Sequence, residues 1–573
     1  MRKSKIADAA LVLACFAALA YAFVELAPYR LGFKEQAGIF FLSPERWSWY
    51  VSNPAVLSSL AGDWLTQFLY SENLGIACLI ILLMLLWDGL RRLFKGLGAE
   101  CSPAVWALLP VAAQAACMVY LNWPVSASVG LTMTVWAAVL LLPLLSREWT
   151  AYLLVLIIPL LFVLNGASAL LIAAVAMFAY GKDFTKAILP SVAGLAIMLL
   201  LGRTYNLTLH QTFSWPVPLD YIVPGTLLRM AVPVSILAAT VLALVCPSGW
   251  PGYALSVIAV AGSVFSMNDR TMETTVRIGT HAYRGEWSDV RHMAIADKTG
   301  GRVFRYYGNL SYAREDRLGD ELFTLRQTGA SGLFLPMGKD NGYLPIFFYI
   351  DGLMEMGDIS QATDCALLGQ TIMPGSCSTR MLRYLSEIAV ITGDYDVAKK
   401  YLDILCKTRY HRDWASDLKA CVVKDSIPQR YLKLRAKVAR VDRMYPQADT
   451  EKALRTISDL NPENRTAVDY LLCSLLLDKR GSTFMGLYEK YWLDRLDRIY
   501  PIPKAYQEAL LVNGHTLEDI REMADYYHIS EEVRLNFSHF LQDKERANGR
   551  VGDLYEYRDT YWYYIISTKL NKE

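Results

Sequence analysis

The sequence predicts an all-α protein in two parts, a polytopic transmembrane helical domain over residues 1–270 and a soluble α-solenoid of tetratricopeptide-like repeats over residues 271–573. Three observations predict it. Apolar runs of membrane-crossing length recur through the first part, charge collects in the second, and a Gly-Asp pair returns in the second after 36 residues. The first 269 residues carry 14 Lys/Arg and 12 Asp/Glu, against 86 charged residues in the remaining 304. The chain is 573 residues long and 54% hydrophobic, too apolar for a wholly soluble protein. Its net charge of +2 and its lack of dense basic blocks with interleaved aromatics exclude nucleic acid as a partner.

In order, Arg2, Lys3 and Lys5 precede an apolar run that ends at Ala20-Tyr21-Ala22. That outline fits a secretory signal, but further apolar runs follow, so a retained helix is the preferred reading. The candidate spans are Ala9 to Val24, Leu74 to Trp87, Ala104 to Leu121, Val125 to Leu145, Ala151 to Leu164, Ala167 to Tyr180, Ala187 to Leu201, Leu227 to Val245 and Gly252 to Met267. The 30 residues from Ala151 to Tyr180 are read as two short helices hinged at Asn165-Gly166. A hairpin there leaves Arg147, Lys182 and Lys186 on the side of Arg2, Lys3, Lys5, Arg91, Arg92 and Lys95, where short cytoplasmic loops collect basic residues. About nine spans follow, with the N-terminus in the cytoplasm. The C-terminal domain is therefore expected on the side of the membrane opposite the cytoplasm.

Two outward loops exceed what connection requires. The first, residues 28–73, contains Lys34-Glu35-Gln36 and then Val56, Leu57, Leu60, Ala61, Trp64, Leu65, Phe68 and Leu69 at helical spacing, with Ser58, Ser59, Gly62, Asp63, Thr66 and Gln67 opposite. This predicts an amphipathic helix lying in the membrane surface after Pro54. The second, Gly202 to Gly225, carries Arg203, Tyr205, His210, Gln211, Trp215 and Asp220. An acid at the end of an apolar span needs water, a cation or a partner. Glu25, Glu35 and Asp63 are accordingly the candidate carboxylates of an outer-face site, with Arg203, His210 and Trp215 the candidate substrate-binding residues; for each alone, a wet interfacial side chain is the plainer reading.

A first span ending in an acid, a long outward loop with surface helices, many short spans and a soluble outward tail resemble the layout of GT-C-type lipid-linked sugar transferases. The Asp-Glu or Asp-x-Asp pair of that class is absent from the first loop, where Lys34-Glu35-Gln36 stands instead. Pro54 to Tyr70, with Leu65-Thr66-Gln67-Phe68, and Tyr307 to Leu310 carry a closer resemblance to uncharacterised multi-pass proteins of Bacteroidota with a C-terminal tetratricopeptide-like domain. The resemblance implies architecture and leaves chemistry open.

In the second part, Gly357-Asp358-Ile359 and Ala362 superpose on Gly393-Asp394-Tyr395 and Ala398. Glycine ends one helix, aspartate caps the next, and alanine permits close approach. Weaker copies run through Ala313 to Phe323 and from Asn461 to Leu477, and Glu286-Trp287 to Ala296 reads as the second helix of an opening repeat. The concave face of such an array takes a peptide or partner helix.

Ten cysteines form no CxxC pair, so no metal site is expected; in an exported tail Cys365 with Cys377 and Cys406 with Cys421 are either disulfides or buried thiols. HExxH, GxSxG and Walker patterns are absent. Two functions remain. One is an envelope scaffold whose helical repeats hold a protein partner in assembly or export. The other is a transferase using a polyprenyl-phosphate sugar donor, with a carboxylate as general base or as holder of a divalent cation. A transporter is disfavoured because mid-span polar residues are few, namely Gln114, Thr132 and Thr134.

Overall fold

The computed structural model describes residues 2–145, 148–217, 226–246, 250–336, 342–439, 449–493, 495–514 and 516–569. Every regular element among them is a helix. The chain divides into two units: Met1–Val276 with Thr371–Arg380 and Ile404–Trp414, and Arg277–Gln370 with Met381–Asp403 and Ala415–Glu573.

The first unit contains α1 (Arg2–Glu25), α2 (Pro28–Ala37), α3 (Pro44–Val51), α4 (Val56–Thr66), α5 (Glu72–Gly96), α6 (Pro103–Trp106), α7 (Leu108–Val119), α8 (Val125–Leu145), α9 (Leu154–Asn165), α10 (Leu170–Tyr180), α11 (Thr185–Thr204), α12 (Leu209–Ser214), α13 (Thr226–Val245) and α14 (Trp250–Met267), and α15 (Arg270–Arg284) begins in it. Among the described residues, six stretches are long and apolar enough to cross a membrane: Ile6–Glu25, Glu72–Gly96, Val125–Leu144, Thr150–Tyr180, Thr185–Thr204 and Trp250–Met267. Pro103–Val119 and Met230–Val245 are shorter apolar helices. This content associates the chain with a membrane.

Thr150–Tyr180 breaks at the expected hinge. Asn165 ends α9, Gly166 takes φ 77°, and a 3₁₀ turn leads into α10. Each half is about 16–18 Å long at the α-helical rise, roughly half a bilayer core. The Ala167 amide donates to the Trp215 carbonyl at 2.8 Å and Asn165 Nδ2 to Thr134 Oγ1 at 3.2 Å. Protein, rather than lipid, meets polar groups at the break.

Several contacts set helix direction. Tyr253, near the start of α14, donates its hydroxyl to Asp8, near the start of α1. Just past the other end of α1, Arg30 donates to the carbonyl of Met267, the last residue of α14. Glu273 then accepts the Tyr29 amide at 2.7 Å and pairs with Arg30 Nε at 2.9 Å. Helices α1 and α14 are therefore parallel. Ser256 and Ser263 of α14 donate to the carbonyls of Val105 and Ala112, both at 2.8 Å, so α6–α7 runs the same way. Gly89 and Gly96 of α5 lie against Val135 and Leu142 of α8, a second parallel pair.

Helix α4 packs on α8 through small residues. A Cβ added at Gly62 would come 2.4 Å from Ser126 Cα, and one at Gly130 would meet Ser58 Cβ at 3.1 Å. Ser58, Ser59 and Gly62 are buried, while Leu57 and Trp64 are exposed. The small polar face expected to meet water instead meets protein, because only small side chains let two helix backbones approach this closely.

In the second unit, Gly357 ends the Leu344–Met356 helix at φ 82°, and Asp358 caps Ile359–Ile372 by accepting the Gln361 amide at 3.1 Å. Gly393 (φ 90°) separates Thr379–Thr392 from Tyr395–Leu405. Asp394 there accepts the Thr392 hydroxyl at 2.6 Å. Ala362 and Ala398 are both fully buried. The weak copy after Ala313 departs from the pattern. Only the short Leu318–Glu321 helix forms, with Gly319 seated against Pro503 and Asp320 accepting the Lys504 amide at 2.9 Å. Every residue of the Arg465–Leu477 helix is buried. Such a helix needs neighbours on all sides, which a one-dimensional stack of pairs does not supply. All ten cysteines, including Cys365, Cys377, Cys406 and Cys421, are free thiols.

Candidate functional site

Helix α2 leaves the end of α1 and carries Glu35 and Lys34 inward. Proline at its first position suits a helix start, and the Glu273 carboxylate on its first-turn amides complements the positive end of the helix. Lys34 Nζ donates to the carbonyls of Tyr120, Leu121 and Trp123, the last at 2.7 Å. Burial, with the like charge of Arg30, pulls this amine down to about 7.

The far end of α2 is closed by a segment remote in sequence. The Thr379 amide donates to the Gly38 carbonyl at 3.0 Å, Ser378 Oγ to the Gln36 carbonyl at 2.8 Å, and Arg380 Nη1 to Gln36 Oε1 at 3.0 Å. The first two of these bonds occupy carbonyls that a helix end leaves open.

Beside this closure lies a cleft of about 290 Å³, counting space open to solvent, lined by Glu35, Asp63, Gln67, Thr379, Arg409 and His411 among others. The space in it that water can enter is about that of one molecule. Glu35 Oε1 and His411 Nε2 are 2.8 Å apart, and both residues are buried. The Tyr70 ring stacks on Tyr410 at 4.9 Å and sets its edge against the His411 ring at 5.4 Å. Asp63 accepts from Arg46 Nη2 at 2.9 Å and from the Tyr50 hydroxyl at 2.7 Å, and Arg46 also lies 4.3 Å over the Trp49 ring. Burial raises the Asp63 carboxyl above its ordinary range despite the opposing guanidinium, and raises the Tyr50 phenol as well.

The six candidate residues separate accordingly. Glu35 and Asp63 line the cleft. Glu25, the last residue of α1, is exposed, as are Arg203 in the last turn of α11 and His210 in α12; none of the three lines the cleft. Trp215 donates its indole N–H to the Pro54 carbonyl at 2.8 Å, holding the second loop to the entry of α4. Asp220 lies outside the described residues. His411 was not singled out by the sequence, since a lone histidine 376 positions from its carboxylate carries no pattern.

A divalent cation does not suit these residues. Glu35 is engaged by His411 and Asp63 by Arg46, so neither carboxylate is offered whole to an ion. Among the described residues, the group whose ligand atoms lie within 4.8 Å of one another is His281, Glu286 and Asp289, in the other unit.

No curated protein and no solved structure matches the chain. A family model does match, over residues 2–568. The chain belongs to the family of unknown function DUF6057.

Proposed function

We propose that this protein is a multi-pass inner-membrane anchor whose C-terminal helical part stands in the periplasm and holds a protein partner in cell-envelope assembly or export. The parallel run of α1 and α14 carries the reading. Two parallel spans enter the bilayer from one side and leave on the other, so the crossings from α1 through α14 are odd in number and Arg270 emerges opposite Arg2. Arg2, Lys3 and Lys5 favour the cytoplasm, which directs the helical part outward. Helical pairs closed by Gly357 and Gly393 suit the binding of an extended or helical partner segment. The test fuses a phosphatase active only outside the cytoplasm after Asp297, then crosslinks the full-length protein in cells. A fusion active only as a cytoplasmic reporter ends the reading; an exported tail that crosslinks no envelope protein ends the scaffold role.

The cleft favours a second reading, a transferase that takes a sugar from a polyprenyl-phosphate donor at the outer face. Glu35 and Asp63 sit in one cleft at the end of the bundle from which α1 and α14 emerge. Envelope glycans that stay unchanged in both Glu35→Gln and Asp63→Asn cells would remove it.

A further inference from the structure

Glu35 and His411 form a buried carboxylate–imidazole pair. Glu35 Oε1 is 2.8 Å from His411 Nε2, both residues are buried, and both line the cleft. Among the described residues, neither His411 Nδ1 nor Glu35 Oε2 has a hydrogen-bond partner. Neither atom is among the fully buried unsatisfied ones, so solvent in the cleft reaches both. A carboxylate on one ring nitrogen fixes the imidazole tautomer and turns the other nitrogen into a base. The cleft admits a group about the size of one water or hydroxyl.

We propose that His411 Nδ1 is a general base for an acceptor hydroxyl, and that Glu35 is its positioning residue. This deepens the transferase reading and depends on it. The acceptor R–OH gives its proton to Nδ1 as the oxygen's electron pair forms a bond to the donor sugar's anomeric carbon. The bond from that carbon to the donor phosphate oxygen breaks, and its electron pair leaves on the phosphate. The Nε2 proton stays on the ring, and Glu35 accepts its hydrogen bond and stabilises the imidazolium. Asp63 is already engaged by Arg46 and Tyr50, so it holds the wall of the cleft and takes no proton. A purely structural pair would instead only pin the 404–414 segment to α2.

The experiment labels the full-length protein in lipid nanodiscs with diethyl pyrocarbonate, which reacts with an unprotonated imidazole nitrogen, and reads each histidine by peptide mass spectrometry. His411 is expected to react in the folded protein at a rate comparable with exposed His210, and several-fold more slowly in Glu35→Gln at unchanged melting temperature. Labelling of His411 only after unfolding overturns the proposal. In cells, His411→Gln is expected to lower glycan transfer by about 10²-fold or more, with Glu35→Asp restoring part of what Glu35→Gln loses. If Asp63→Asn changes the glycans while His411→Gln does not, the transferase reading stands and the proton couple fails; if none of these variants changes them, the transferase reading itself fails.

Discussion

Buried charge is handled differently at the end of the first unit where α1 and α14 finish and in the centre of the second. In the first unit, Arg30 pairs with Glu273, 243 positions away, and Glu35 with His411, 376 positions away. In the centre of the second, Asp469 finds Arg465 one helical turn earlier at 3.2 Å, and Glu508 has Lys504 one turn earlier at 3.8 Å. Glu508 also accepts the Tyr561 amide at 2.6 Å, and Asp469 the Tyr506 hydroxyl at 2.7 Å. Burial pushes Asp469 up to about 7 and Glu508 up to about 8. A distant partner makes a buried charge a statement about tertiary arrangement. At Asp469 and Glu508 the cation one turn away does not offset desolvation, and burial favours the protonated acid, as it also does at Glu273.

The largest expected effect breaks the distant kind. Arg30→Ala or Glu273→Ala alone should cost about 3–5 kcal/mol in unfolding of the detergent-solubilised protein, because the remaining charge stays buried without its partner. The double replacement Arg30→Met with Glu273→Leu should cost clearly less. A double-variant loss equal to the sum of the two single losses would show that the pair carries no coupling.

The local kind is read by pH. Asp469 and Glu508 have folded values above their ordinary ones of 3.8 and 4.5, so the native state holds these protons more tightly than the unfolded chain. Their contribution is complete below about pH 4 and is lost as pH rises toward 8, with a slope of at most about 1.4 kcal/mol per pH unit for each group. Glu508→Gln should flatten the fall in stability between pH 5 and 8. An unchanged slope would remove Glu508 as its source.

Smaller effects test packing and capping. Gly62→Val should destabilise by about 1–3 kcal/mol through its clash with the α8 backbone. Gly486→Ala, inside a helix with open space around it, should be neutral or mildly stabilising. Thr516→Ala should cost about 1 kcal/mol by opening the capping box with Asp519. Equal responses at Gly62 and Gly486 would mean that α4 does not touch α8.

Much of this architecture was legible because it is written in local pattern. Apolar length marks Ile6–Glu25 and Trp250–Met267 as helices long enough to cross a membrane, Asn165-Gly166 marks the break between α9 and α10, and Gly357-Asp358 marks a helix end followed by a cap. The face of α4 was misjudged for a physical reason. Ser58, Ser59 and Gly62 read as polar and therefore wet, yet small residues are also what two closely packed helices require. The indole of Trp215, a candidate ligand-binding side chain, donates to a backbone carbonyl 161 positions away, a partner that spacing does not reveal.

By itself the sequence determined that the chain is helical, that its apolar half meets a membrane, and where many helices start and stop, since these follow from hydrophobic length and from residues that act on their immediate neighbours. Tertiary structure alone decided that α1 and α14 run parallel, that Glu35 meets His411, and that Glu25, Arg203 and His210 stay apart from them. Those outcomes depend on which distant segments share a burial site, and neither periodicity nor spacing along the chain encodes that.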